Sequence, residues 1–219
     1  QIGKDRDFIN AWMDWTGYAS KKTHENFFVG ASGKISKGVL FADFQSYMFH
    51  RALTKPAIEG EGVSENLQLQ VMAGAEIETK RGFKGLLSAG TLVGYERDRR
   101  FDDKLYKPAG FVARLNAEYH GIGTKNYLYI GDPRMELYKD FGDELYFGNQ
   151  FLRGSKYLRS EWYIKLIESR TVNVCFNNNL HFSEKKVFFQ QGLTVSATIG
   201  NMKPTQKKNT NYIWKNLFK

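Results

Sequence analysis

The sequence predicts an all-β protein, an antiparallel up-and-down transmembrane β-barrel of about ten strands, within a range of roughly 8–12. Three observations predict it. Apolar and polar residues alternate with period two over most of the chain, the spacing at which successive side chains fall on opposite faces of a strand. The alternating runs are roughly 9–16 residues long, against about 5–6 for an ordinary strand and about 9–11 for one that crosses a bilayer. Connections alternate too: short at 36–37, 81–82 and 121–123, longer at 51–64, 98–108 and 131–143.

Taken in order, 8–18 fits either a strand or a short amphipathic helix. Residues 27–35 and 38–50 form a hairpin around Ser36-Lys37. From 66 to 80, Leu67, Leu69, Val71, Ala73, Ala75 and Ile77 face one side, against Gln68, Gln70, Met72, Gly74, Glu76 and Glu78. Arg81-Gly82 turns this strand into the next, where Phe83, Leu87, Ala89, Val93 and Tyr95 oppose Lys84, Ser88, Gly90, Gly94 and Glu96. A third run sets Phe111, Ala113, Leu115, Ala117 and Tyr119 against Arg114, Asn116, Glu118 and His120, then turns at Gly121-Ile122-Gly123 into a strand near 124–130. Beyond Gly131 the alternation of long and short links is lost. Three more runs, 156–168, 171–182 and 187–200, still read as strands.

Composition bounds the alternatives. The chain has 219 residues, a net charge of +9 and 15% aromatic residues, which suits one folded domain over 1–219. A single cysteine, Cys175, excludes an internal disulfide framework, a cysteine-based zinc site and a CxxC redox motif. No apolar run is long enough for a transmembrane helix, a test that barrel strands escape because their apolar residues average away. The chain opens on Gln1 rather than Met and is read as a mature or trimmed product.

In a membrane barrel the apolar face meets lipid and the polar face lines the lumen. Leu67, Leu69, Val71, Leu115 and Val195 are expected to face lipid. Glu76, Lys84, Arg114, Glu118 and His120 are expected to form a lumen charge network, pairing chiefly with one another, with Gly74, Gly90 and Gly94 relieving crowding. Tyr47, Phe49, Tyr95, Tyr119, Tyr127 and Tyr129 are candidates for aromatic girdles.

Phe27-Phe28-Val29-Gly30-Ala31, then Val39-Leu40-Phe41-Ala42, then 87–96 with Asp103-Lys104 and the strand at 110–119, resemble small outer-membrane β-barrel proteins of Bacteroidetes, in particular the TraO-like family of conjugative transposons. The resemblance covers about residues 20–130. It implies the outer membrane of a Gram-negative bacterium and an envelope-assembly role, and it transfers no catalytic residue.

The remaining motifs argue for binding over chemistry. Histidines His24, His50, His120 and His181 have no metal-ligand spacing, and no metal or cofactor is expected. A hydrolase would need a serine such as Ser88 or Ser46 beside His120 and Glu118, yet same-face residues two apart on a strand stand about 7 Å apart. Asp140, Asp143 and Glu144 lack a calcium-loop pattern. The 131–155 segment is read as an external loop that docks a partner or folds into the lumen as a plug. Tyr138, Phe141, Tyr146, Phe147 and Phe151 are its partner-binding candidates, together with the 51–64 loop. The tail, 201–219, mixes lysines with aromatics, which suits anionic lipid such as lipopolysaccharide, or a closing strand at 212–218. Charge scattered over strands, with no recognisable module, argues against nucleic acid. The expected function is a non-enzymatic barrel, a structural or accessory subunit of a cell-envelope complex, with outer-membrane lipid, lipopolysaccharide and other envelope proteins as partners. Alternatives are a narrow channel, a lipid-modifying hydrolase, or a soluble β-barrel holding an apolar ligand.

Overall fold

A computed structural model of the protein describes residues 2–4, 7–17, 26–51, 64–99, 102–133, 150–169 and 171–197. Among them are the strands β1 (Ile2–Lys4), β2 (Asp7–Gly17), β3 (Asn26–Lys37), β4 (Leu40–Arg51), β5 (Ser64–Glu78), β6 (Phe83–Asp98), β7 (Asp102–Tyr106), β8 (Ala109–Tyr119), β9 (Ile122–Gly131), β10 (Lys156–Glu168), β11 (Val172–Ser183) and β12 (Lys186–Ala197). One 3₁₀ turn, Gln150–Arg153, precedes β10. All strands belong to a single sheet in the order β1-β2-β3-β4-β5-β6-β8-β9-β10-β11-β12, with β7 paired to β6 beside that path. Every neighbouring pair is antiparallel, as an up-and-down chain requires. Among the described residues no ladder joins β1 to β12, so the sheet is open.

The ambiguous 8–18 segment is a strand, β2, registered on β3 from Phe8↔Lys34 to Gly17↔Asn26. Its alternation of Ile9, Ala11, Met13 and Trp15 with Asn10, Trp12 and Asp14 suits a two-faced sheet, and β3 supplies the backbone partners. Part of the expected 98–108 loop is strand β7, which folds back onto the end of β6 through Glu96↔Tyr106 and Asp98↔Asp102. Arg97 and Arg99 pin this extension through Glu65 and Asp103, at 2.8 to 3.9 Å.

The connections sort onto two ends. Those at 38–39, 79–82, 120–121 and 169–171 are tight and share one end, the turn end. Gly82 and Gly121 take φ of 86° and 85° there, a conformation in which a side chain is strained. Those at 18–25, 52–63, 99–108 and 132–155 are long and share the other, the loop end. The alternation lost to the sequence beyond Gly131 therefore resumes, and only the 184–185 hairpin departs from it by being tight at the loop end.

The sheet curls strongly. Tyr127 on β9 donates to Gln70 on β5 at 2.9 Å, and Arg114 on β8 pairs with Asp43 on β4, each spanning two intervening strands across the concave face. Curling crowds that face. A Cβ added at Gly74 would meet the Leu87 carbonyl and Ser88, and one at Gly90 would meet the Val71 carbonyl. These glycines do relieve crowding.

Curvature places the two faces in opposite environments. The concave side buries Asn66, Gln68, Gln70, Ser88 and Glu96, together with Met72, Val112 and Tyr129. The convex side exposes Val71 (45%), Leu87 (62%), Leu115 (53%), Leu193 (62%) and Val195 (60%), while Leu67 and Leu69 are half-buried. An apolar outside around an inside that mixes polar and aromatic side chains departs from the pattern of a water-soluble β-fold.

Candidate functional site

The concave face is where the chain collects its chemistry. At the turn end, β3, β4, β5, β8, β9 and β10 bring charged side chains together. Lys34 pairs with Glu76 at 2.6 Å, and its ammonium also lies 4.6 Å from the centre of the Phe41 ring. Arg114 reaches Asp43 and donates through Nε to the Ser88 hydroxyl at 3.1 Å. Glu118 accepts at both oxygens, from the Tyr163 hydroxyl at 2.6 Å and from Lys165 at 2.9 Å. Lys125 pairs with Glu161 at 3.3 Å and lies over the Tyr163 ring at 4.9 Å. Two cavities open here. One, of about 460 Å³, is lined by Glu76, Glu78, Lys84, Glu118, Lys125 and Tyr163. The other, of about 330 Å³, shares Glu118, Lys125 and Tyr163 and extends to Lys165, Glu168 and Cys175.

Toward the loop end the same face is packed and mostly uncharged, Glu96 and Arg159 apart. Met72, Leu92, Val112, Tyr129 and Tyr157 form one cluster, with Tyr127 and Phe151 against it. Phe151, carried by the 3₁₀ turn, stacks on His181 with ring centres 4.5 Å apart and planes 2° apart, and also touches Tyr157 and Phe188. Both ring nitrogens of His181 are engaged, Nδ1 with the Tyr157 hydroxyl at 2.8 Å and Nε2 with Gln190 at 3.1 Å. The turn is held from below by Glu184. Its carboxylate accepts from the Ser155 amide at 2.6 Å, the Ser155 hydroxyl at 2.9 Å and the Lys156 amide at 3.2 Å. Ser155 above all, with the Lys156 amide, holds the Glu184 carboxyl below its ordinary range.

Of the sequence-predicted network, Glu76, Lys84, Arg114 and Glu118 lie on the concave side, but they do not pair with one another. Their partners are Lys34, Glu78, Asp43 and Lys165 respectively. For three of the four the reason is curvature: Lys34, Asp43 and Lys165 are reached across one or two intervening strands of the concave face, whereas Lys84 pairs with Glu78 opposite it on its own hairpin. His120 is outside the network. β8 ends at Tyr119, and His120 takes φ of 49° in the turn, edge-on to the Tyr119 ring. Ser88, Glu118 and His120 do not assemble into a hydrolase site. Ser88 registers with Arg114 and Glu118 with Lys84, two same-face steps or about 13 Å apart. Ser46 registers with Leu69 on the convex side.

The girdle divides. Tyr95 and Tyr119 are exposed on the convex side, whereas Phe49 and Tyr129 are buried. Tyr47 and Tyr127 bond to Gln68 and Gln70 on the concave side. Phe151, expected on a partner-facing surface, instead packs inward. Tyr138, Phe141, Tyr146 and Phe147, the 52–63 loop, the acids Asp140, Asp143 and Glu144, and the 201–219 tail lie outside the described residues.

Sequence reasoning missed Asp43, Lys34 and Lys125. Each sits on the polar parity of its strand, so extending the face assignment to β3, β4 and β9 finds them. Among the described residues no group of three or more His, Cys, Asp or Glu could hold a metal ion. No family model, curated protein or solved structure matches this chain.

Proposed function

We propose that this protein is a non-enzymatic outer-membrane β-barrel of a Gram-negative bacterium, acting as a structural or accessory subunit of a cell-envelope complex. One observation carries the reading: the inverted faces of the sheet, sustained over strands of 10 to 16 residues from β2 to β12 (β7 apart). In water that convex face would be a large apolar liability. In hydrocarbon it is the favoured surface, and polar groups such as Gln70, Arg114, Glu118 and His181 find partners within the concavity. Of the eleven strands on the path, the ten long ones, β2 to β12 without β7, begin and end with strands that run in opposite directions, and the three-residue β1 lies beyond β2 at the edge. An antiparallel closure needs that arrangement. A soluble barrel holding an apolar ligand would need the opposite face inside.

Binding is favoured over chemistry because the strongest polar groups are engaged with one another, as at Glu118 and His181. The packed loop-end half argues against a wide pore. Partners on this reading are outer-membrane lipid and lipopolysaccharide, with other envelope proteins docking at the loop end, in keeping with the TraO-like resemblance.

Fractionation tests the location. The protein is expected in the outer membrane and to need detergent, and Val71→Arg should cost about 2–4 kcal/mol if the site lies at mid-bilayer. Recovery of folded protein in buffer alone overturns the reading. Deleting residues 134–147 should leave a folded barrel and abolish co-purification of envelope proteins; unchanged co-purification removes the loop-end docking role.

A further inference from the structure

The lysines of the turn end each meet a carboxylate, as Lys34, Lys84, Lys125 and Lys165 do. A second group of cations does not. At the loop end, where the 3₁₀ turn meets the β11–β12 hairpin, a cavity of about 250 Å³ is lined by Arg153, Ser183, Glu184, Lys185, Lys186 and Phe188. Arg153, Lys185 and Lys186 are exposed, and none of them has an ion-pair partner among the described residues. Glu184, the one acid of the lining, is engaged: its Oε1 accepts from the Ser155 amide, the Ser155 hydroxyl and the Lys156 amide. It does so from a φ of 53°, a left-handed conformation that a residue with a side chain seldom adopts. Those bonds hold the turn, and Arg153 with it, beside the hairpin lysines. Ser183 is 8% exposed and lines the cavity, yet its hydroxyl has no hydrogen-bond partner among the described residues. Gly154 leaves that hydroxyl room, because a Cβ there would lie 2.9 Å from the Ser183 oxygen.

We propose that this cavity binds a phosphoryl group. Three cations against one engaged carboxylate make the lining net positive, so it attracts anions. Arg153 offers a planar fork that matches two phosphoryl oxygens, the two lysines add point charges, and Ser183 adds a neutral donor. A buried hydroxyl without a partner is unfavourable, and a phosphoryl oxygen removes that cost. A phosphoryl group carries three strong acceptor oxygens against a carboxylate's two, so it meets more of these donors at once. Two sources share this chemistry: a soluble phosphate ester reaching the loop end, and the phosphates of lipopolysaccharide in the outer leaflet. Only the second rests on the membrane reading above.

The test titrates the purified full chain calorimetrically at low ionic strength with inorganic phosphate and, separately, with lipid A and dephosphorylated lipid A. Saturable binding of at least one phosphorylated probe is expected, with dephosphorylated lipid A inert. Binding of inorganic phosphate marks a soluble source, and binding of lipid A alone marks the lipid. Arg153→Gln/Lys186→Gln should weaken binding at least about ten-fold, and Ser183→Ala, which keeps every charge, at least about three-fold. Lys37→Gln/Lys80→Gln removes equal charge at the opposite end of the sheet and should leave binding within about two-fold. The replaced cations are all exposed, so an unchanged urea midpoint is expected for both double variants. No saturable binding of either phosphorylated probe, or equal losses in the two double variants, overturns this inference and leaves the membrane reading standing. Folded protein recovered without detergent overturns the membrane reading and with it the lipid source, and the inorganic phosphate titration then decides the cavity by itself.

Discussion

Near the loops, the concave face buries Met72, Leu92, Val112, Tyr129 and Tyr157 almost completely and answers its polar atoms with neutral partners, as Tyr127 does for Gln70 and Tyr157 for His181. Near the tight turns, the same face holds Lys34, Glu76, Arg114, Asp43, Glu118 and Lys165, whose side chains stay 13–26% exposed beside open cavities. The difference teaches how one polar surface is filled under two dielectric conditions. Where packing excludes solvent, an ionised group is costly, so amides, phenols and aromatics predominate, and Glu96 is the one Asp, Glu, Lys or Arg side chain buried there among the described residues. Where solvent reaches, charges can be kept if each meets an opposite charge at short range.

The sharpest way to break this comparison is at its packed end. Tyr129 is fully buried, its ring lies over Gly110, and its hydroxyl donates to the Asp132 carbonyl at 2.6 Å. Tyr129→Ala should cost about 3–5 kcal/mol, read as a lower urea midpoint in detergent. A loss below about 1 kcal/mol would show that this end is not a packed core. At the charged end, Arg114→Met should cost about 1.5–3 kcal/mol by leaving Asp43 and Ser88 without their cation. Adding Asp43→Leu should recover part of that loss; a double variant as unstable as the sum of the singles denies the coupling. The Lys84–Glu78 pair is the control within the same end. Its side chains are 51% and 70% exposed, so Lys84→Ala should change stability by less than about 1 kcal/mol, and less still in high salt.

The smallest effect is expected where the two ends' strategies meet, at the Glu184 clamp. The folded state lowers the pKa of this carboxyl, chiefly through Ser155. Its contribution is therefore complete above the unfolded carboxylate value, about 4.3, and is lost as pH falls through the lower folded value. Amide exchange at Ser155 and Lys156 should lose protection over that acid window, with Phe151 freed from His181. Glu184→Gln, which has no such titration, should give a flat profile. A wild-type profile equally flat would deny the clamp its charge dependence.

The alternation of Leu67 to Ile77 with Gln68 to Glu78, repeated strand after strand, determined the elements, their two faces and most of their ends. Backbone geometry puts successive side chains on opposite sides whatever the rest of the chain does. Gly82 and Gly121 marked two turns for the same local reason. The 8–18 segment was undecided because one apolar pattern there fits both periods until β3 supplies backbone partners. The direction of curl was beyond a local pattern, and with it went three assignments: Asp43 as the partner of Arg114, the inward positions of Tyr47 and Tyr127, and the seat of Phe151 against His181. Those depend on how far strands distant in the chain approach across the concave side. Only the curvature accumulated over the whole sheet sets that distance.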